Sequence, residues 1–592
     1  MIFRRILMRI LVWRLKHIGD NSFILIVAGI IGLISGLAAV TLKTTVHWIQ
    51  LAVTSNRLYE NLNYVHLIYP MLGILLTVLL THFIFKEKLG HGITHILYSI
   101  SKRSSIIRKT HMYSRMITSA ITVGLGGSVG LEAPIVVTGS AIGSNLARLA
   151  HLDYKKRTLL IGCGAAGAIS GIFNSPIAGV IFAIEVILTE VTINKFIPIL
   201  IASVCGQLVA IVLLGEDILF SFRVVDGFQA SETPYYLLLG FFCGGVSIYF
   251  TRLIYKSERL IGSIKNQYLR AASGGLGLAL IIFIFPPIYG EGYDTIKQLL
   301  TGNQIPVLSN SLFDYISQYK AAHIIFFLLI ILIKPIATAL TIGSGGSGGI
   351  FAPSLFIGGI TGYLVGMVFN MILPGEVVNP SHFALVGMGG MLSGVLQAPL
   401  TGIFLIAEVT GGYMLFVPLM LVSAISFSTM NYFEKYSLYT KHLIESGDLI
   451  THDKDLQVLT QINLKKLVEK DLLKIHPDRT VEDLVHLVKK SKRNIFPVIN
   501  DQNELVGIIT LDRIREIMFD QEARKEVVVK TLMQQVPNTV SPNESMRSVM
   551  SKFETTQAWN LPVIEDGQYL GFVSKSRIFN AYRTKLIRQS KE

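Results

Sequence analysis

At 592 residues, 51% hydrophobic and only 16% charged, with a mean hydropathy of +0.53, the chain is too apolar for a soluble multidomain protein and predicts a membrane protein with a soluble appendage. The formal net charge of +14 does not point to nucleic acid, because the basic residues cluster beside apolar runs and form no stripe with aromatics. Three cysteines, Cys163, Cys205 and Cys243, all in apolar context and without metal-ligand spacing, imply neither a disulfide framework nor a metal site.

Residues 1–20 carry Arg4, Arg5, Arg9, Arg14 and Lys16 but no small-residue cleavage site, which predicts a retained, basic amphipathic helix on the inner membrane surface. Charge-poor runs at 22–42, 67–85, 195–215, 235–250, 273–289, 322–333, 355–373 and 412–430 are mostly of spanning length. Several are short or interrupted by Gly and Pro. In lipid such breaks survive only where protein or a cavity satisfies the freed backbone, so broken or re-entrant helices around a polar path are expected. Basic clusters at Lys102, Arg103, Arg108 and Lys109, at Lys155, Lys156 and Arg157, and at Arg252, Lys256, Arg259 and Lys265 place those loops in the cytoplasm, whereas Glu216 and Asp217 would face out. Both termini are expected in the cytoplasm, and the short loops and lack of disulfides suit a bacterial inner membrane.

Two stretches organise the apolar region, GSVGLEAP at 127–134 and GSGGIFAP at 346–353. Each reads Gly-Ser-x-Gly-apolar-x-Ala-Pro and opens a helix-like run. Glycines let the chain turn with bare N–H groups, and a helix start favours negative charge, so backbone alone can make an anion site. The copies differ where Glu132 in the first stands against Phe351 in the second. A carboxylate in an apolar helix start is costly to leave charged and unpaired. Glu132 should therefore either take the anion's place on the amides or pick up a proton and swing aside. The plainer alternative is that Glu132 only caps its own helix.

A longer repeat sets the architecture. GAAGAISGIFNSPIAGVIFAIEV (164–186) matches GMGGMLSGVLQAPLTGIFLIAEV (387–409) without a gap, bringing Gly171 onto Gly394, Pro176 onto Pro399 and Glu185 onto Glu408. The fold class is therefore an α-helical polytopic membrane protein with two homologous halves, about 20–220 and 230–440, expected to be inverted, of broken and tilted helices. Broken spans prevent a crossing count that would establish the inversion.

GSVGLEAP, GSGGIFAP, FNSPIAGVIFAIE and SLYTKHL (437–443) together resemble the signature regions of the CLC chloride channels and chloride/proton exchangers, in the same order across residues 21–445. The resemblance implies a homodimer with a pore in each subunit. It further implies an anion held by the amides of Gly349, Ile350 and Phe351 and by the Tyr439 hydroxyl, with Gly130, Leu131, Gly92 and Ile93 at the neighbouring helix starts and Glu132 as external gate. Three positions depart from the family pattern. The segment usually written GSGIP is GHGIT at 90–94, so His91 replaces a serine hydroxyl that would touch the anion. It either donates through its ring, with a charge that responds to pH near neutrality, or faces away. The basic residue common before the gate is Leu131. The glutamate that passes protons in family exchangers, immediately after Glu185, is Val186. Glu185 is a substitute proton carrier or, since Glu408 repeats it, a structural residue. The expected activity is channel-like anion flow, with chloride/proton antiport as the alternative.

Beyond about 445 the sequence turns charged and mixed. NIFPVINDQNELVGIITLDRI (494–514) and NLPVIEDGQYLGFVSKSRI (560–578) each predict strand, turn, strand and helix start, preceded by helical patterns at 481–490 and 544–554. Residues 446–592 thus resemble a cytoplasmic α/β tandem of CBS domains, about 455–520 and 528–585, modules that often bind adenine nucleotides. Thr510 and Ser574 match the hydroxyl of the usual ligand pattern. Arg513 and Arg577 stand where a ribose-binding acid is expected, and could pair with phosphate instead. A purely structural pair is the alternative. A CBS-regulated magnesium channel should line its pore with carboxylates, whereas this apolar region has few acids and its best sites present N–H groups. An enzyme is disfavoured: no nucleophile set or metal cluster is evident, and GSGGSGG lacks the lysine of a phosphate loop.

Overall fold

The computed structural model describes residues 14, 16–54, 68–87, 92–188, 193–215, 227–301, 305–308, 311, 313, 315, 318–375, 377–445 and 462–591. They fall into two units, Met1–Leu449 and Ile450–Glu592. Most of the basic helix expected over 1–20, together with Glu216 and Asp217, lies outside the described residues.

The first unit is built of helices. Its first half holds α1 (Asp20–Thr54), α2 (Ile68–Leu80), α3 (Gly92–Lys102), α4 (Ser114–Gly124), α5 (Glu132–Leu149), α6 (Tyr154–Phe173), α7 (Pro176–Phe182) and α8 (Ile193–Leu214). Its second half holds α9 (Thr233–Gly262), α10 (Gln267–Ile284), α11 (Tyr293–Leu300), α12 (Lys320–Gly343), α13 (Phe351–Ile372), α14 (Pro380–Leu396), α15 (Pro399–Val409) and α16 (Phe416–Phe433), followed by α17 (Leu438–Glu445). Among the described residues, 8 helical stretches are long and apolar enough to cross a membrane, and each overlaps one of the charge-poor runs. The run at 273–289 overshoots its helix. α10 stops at Ile284 because Pro286 and Pro287 follow, and proline has no N–H to continue the ladder.

The halves repeat one packing scheme. α5 packs on α6 as α13 does on α14, and α1 packs on α6 and α8 as α9 does on α14 and α16. The closest crossings also recur. Gly139 of α5 meets Gly164 of α6 backbone to backbone, and Gly358 of α13 meets Gly387 of α14, so a methyl at any of the four would strike the facing carbonyl. Across the halves, α2 packs on α10 and α7 on α15. The helices at 176–187 and 399–409 are too short to span, the broken helices expected from the Gly and Pro interruptions.

In the second unit, β1 (Ile495–Ile499) pairs antiparallel with β2 (Leu505–Thr510), and β3 (Asn560–Glu565) with β4 (Gln568–Ser574). The helices α18 (Val481–Lys490) and α19 (Met546–Thr556) precede the two hairpins, and α20 (Lys575–Lys591) follows the second. Alternation buries Phe496, Val498 and Ile509 in one core and Leu561, Val563 and Val573 in the other. The turns bend at Asn503, φ +60°, and at Asp566-Gly567, φ +50° and +83°, where short polar residues and glycine tolerate the left-handed region.

Candidate anion site

The two Gly-Ser motifs meet face to face. Gly130 and Gly349 exchange N–H···O bonds of 2.8 Å in both directions, a single antiparallel bridge between the halves. Each motif is also held by a threonine from the other half: Ser128 N–H donates to Thr341 Oγ1 at 3.2 Å, and Ser347 N–H to Thr122 Oγ1 at 3.0 Å. Gly130 lies against Ala352 and Gly349 against Ala133, so the starts of α5 and α13 stand side by side. Two helix N-termini thus bring their partial positive charge to one place.

Glu132 opens α5 and is 2% exposed. Tyr293 donates its hydroxyl to Glu132 Oε1 at 2.5 Å, while Oε2 is buried and has no well-formed hydrogen bond among the described residues. That oxygen fills the space a side chain on Gly130 would need, next to the backbone nitrogen of Ala352. One residue earlier, Leu131 N–H donates to Glu291 Oε1 at 3.1 Å. Glu291 sits on the loop that leads into α11, which Tyr293 opens, and that loop's carbonyls at Ile288 and Gly290 each accept from Lys334 Nζ at 3.1 Å. Lys334 itself is fully buried, 4.7 Å from the Phe356 ring centroid. Sequence reasoning missed all three of these residues. The available signals were GEGY at 290–293, an acid and a phenol set among glycines, and one lysine inside an apolar helix.

The amides proposed for the anion divide into spent and free. Those of Gly130 and Gly349 bond each other and that of Leu131 bonds Glu291, so these three cannot also serve an anion. Ile350, at the N-cap of α13, and Phe351, at its first turn, have no intrahelical partner for their N–H groups, and none appears among the described residues. Phe173 and Phe182 hold the Phe351 ring, at centroid distances of 5.5 and 6.2 Å. Tyr439, on α17, is 2% exposed, and its hydroxyl has no partner among the described residues. Thr94 donates to the Tyr439 carbonyl at 3.0 Å, which brings the start of α3, with buried Gly92 and Ile93, to the same place. His91 lies outside the described residues.

Glu185 does not stand free. Its carboxylate accepts from Leu400 N–H at 3.2 Å and from Thr401 N–H and hydroxyl at 2.8 and 2.7 Å, closing the start of α15. Val186, beside it, packs against the hydrophobic core.

In the second unit, Ser574 donates to Glu469 Oε1 at 2.7 Å, and Arg493 contacts Glu469 Oε2 at 2.5 Å, with Glu469 only 6% exposed. An internal carboxylate thus already holds the hydroxyl expected to meet a ligand. Thr510 makes no side-chain cap bond. Arg513 faces the Gln534 amide, and Arg577 donates its backbone N–H to Ser574 Oγ at 3.3 Å.

Broken helices whose N-termini converge in an apolar unit, beside buried donors that lack acceptors among the described residues, are the architecture of a polytopic membrane protein with a site suited to an anion. The model of the voltage gated chloride channel family matches residues 72–431, and that of the CBS domain matches 464–520 and 529–584. The chain belongs to the voltage gated chloride channel family, one of transporters and channels, and carries a tandem CBS pair. It is similar to the chloride channel protein CLC-f of Arabidopsis thaliana, 28% identical over 72% of this chain and 61% of that one. It is also similar to the putative chloride channel protein ClcB-like of Ralstonia nicotianae, 28% identical over 72% of this chain and 97% of that one. The H+/Cl− exchange transporter ClcA of Vibrio cholerae is 31% identical over 51% of this chain and 62% of its own. The match therefore spans less than two thirds of the plant and Vibrio proteins. Among solved structures, a slow cyanobacterial Cl−/H+ antiporter shares the fold at TM-score 0.62 and 21% identity, covering 74% of this chain and all of that one. A eukaryotic CLC transporter does so at TM-score 0.60 and 20% identity, covering 94% of this chain and 97% of that one.

Proposed function

We propose that the chain carries chloride or a similar small anion across a membrane, through a separate pore in each subunit of a homodimer, with Glu132 as the gate. The reading rests on Tyr439, a buried phenol with no acceptor among the described residues. It lies within electrostatic reach of Glu132, whose carboxyl stands beside the start of α13. Buried donors without acceptors are costly, and a dehydrated halide is the acceptor that would complete them. Ile350, Phe351, Tyr439 and the α3 start at Gly92 and Ile93 hold the anion. Ionised Glu132 competes for the converging helix starts, and protonated Glu132 withdraws.

Flow is channel-like on this reading, because Val186 cannot carry a proton and Glu185 is occupied in closing α15. Proton-coupled exchange is the second reading, favoured by the exchange activity in the name of the Vibrio relative. The basic clusters support an inner-membrane setting with cytoplasmic termini. In the CBS pair, Thr510 is left as the better contact for an adenine nucleotide, since Glu469 already holds Ser574. The deciding experiment places the full-length protein in liposomes under a chloride gradient and records both ions. Chloride flow that drives no uphill proton movement supports the channel, stoichiometric proton movement supports exchange, and magnesium flux without chloride flux overturns both.

A further inference from the structure

Two side chains at the entry to α11, Glu291 on the loop before it and Tyr293 at its first position, take hold of consecutive residues at the start of α5. Tyr293 donates to Glu132 Oε1 at 2.5 Å, and Glu291 Oε1 accepts from Leu131 N–H at 3.1 Å. The loop is firmly set. Gly290 and Gly292 adopt φ of +59° and +87°, a side chain at Gly292 would strike the Phe356 ring, and Lys334 ties down two of the loop's carbonyls.

Two carboxyl groups close together in a poorly solvated place do not ionise independently, because each charge raises the cost of the other. Among the described residues, the other charged groups acting on the pair are Lys43 of α1 and Lys334 of α12, with the phenols of Tyr293 and Tyr439 beside them. Tyr293 works in the opposite sense to Glu291, since a hydroxyl donated to a carboxylate favours its charged form.

We propose that Glu132 and Glu291 act as one acid pair, in which charge on Glu291 weakens the ionised, blocking form of Glu132 and Tyr293 strengthens it, so that Glu291 sets the pH at which the pore opens. The inference rests on Glu132 being the gate. Glu291 is a positioning residue: it touches no anion donor left free, and works through its charge and through Leu131.

The test is chloride flux through the full-length protein in liposomes over a series of external pH values. Glu291→Gln keeps an oxygen for Leu131 N–H but removes the charge, so the midpoint of opening moves to lower pH, by about one unit. Tyr293→Phe moves it to higher pH, and Glu291→Asp leaves it near the parent value. A merely structural role would change total flux without moving two midpoints in opposite directions. An unmoved midpoint in Glu291→Gln, alongside lost pH dependence in Glu132→Gln, overturns the pair and leaves the gate standing. Full pH dependence in Glu132→Gln sinks the gate and the pair together. Should Glu291→Gln fail to fold, an unmoved midpoint in Tyr293→Phe is enough to overturn the proposal.

Discussion

Glu185 and Glu408 each close the other half's helix: Glu185 accepts the N–H groups of Leu400 and Thr401, and Glu408 accepts those of Ile177 and Ala178 at 3.0 and 2.8 Å. The exchange is reciprocal, as it is for the Gly130–Gly349 bridge and the Thr122 and Thr341 caps. A residue that appears once per half and does the same work in each is a brace. Glu185→Ala and Glu408→Ala are therefore expected to destabilise the protein similarly, by about 1–3 kcal/mol each, because two amides lose their acceptor. Thermal melts in detergent measure this. A Glu185→Gln protein that loses proton coupling at an unchanged melting temperature would instead restore Glu185 as a proton carrier.

Glu132→Gln keeps the shape of the side chain but cannot ionise. Chloride flux should then become nearly independent of external pH, at a level close to the acid limit of the parent. Liposome flux between mildly acid and mildly alkaline external pH gives the answer, and an unaltered profile removes Glu132 from gating.

Tyr439→Phe deletes a buried hydroxyl that has no partner among the described residues. In chloride-free buffer the variant should be as stable as the parent or slightly more so, because no hydrogen bond is lost. The rise in melting temperature on adding chloride should shrink, since a ligand that binds only the folded form stabilises it in proportion to its affinity. An equal chloride response in both proteins would take Tyr439 out of the anion site.

Glu469 occupies Ser574 and Arg493 from within the CBS unit. Glu469→Ala should free both and increase binding of ATP to the full-length protein, whereas Thr510→Ala should reduce it. Calorimetry with ATP, ADP and AMP reads both effects, and no nucleotide binding in either variant would favour the structural reading of the pair.

Asp471 bonds Arg493 at 3.0 to 3.3 Å, and the guanidinium holds its carboxyl below the ordinary carboxylate value. A carboxyl lowered in the folded state stabilises above its unfolded value, and that contribution disappears as pH falls through the folded one. Arg493→Gln should flatten this acid limb of the melting curve, and an unchanged limb would show that the exposed pair contributes nothing measurable.

Much of this architecture is legible in the chain because duplication wrote it twice. The Gly-Ser motifs and the aligned Glu185 and Glu408 announce two similar halves, and charge-poor runs mark the spans by composition alone. Contacts across the halves are not legible, since nothing local in GSVG states that Gly130 will bond Gly349. The resemblance implied Gly349 as an amide donor and Gly130 and Leu131 as neighbours of the anion, but their N–H groups bond partners that only the assembled fold creates. Glu291 and Lys334 escaped for a different reason. A single charged residue in a loop or an apolar helix reads as solvated until packing shows what it touches, which for Lys334 is a fully buried setting and for Glu291 a half-buried one.

The reciprocal braces bear on how the polypeptide is made. While a ribosome has delivered only the stretch up to Val186, Glu185 has no helix to close, and Gly130 and Ser128 have nothing opposite them. The early half must wait in the bilayer with polar backbone uncovered until its later twin arrives. Synthesis halted at the linker between them should therefore yield a chain that quality-control proteases recognise, however apolar its spans.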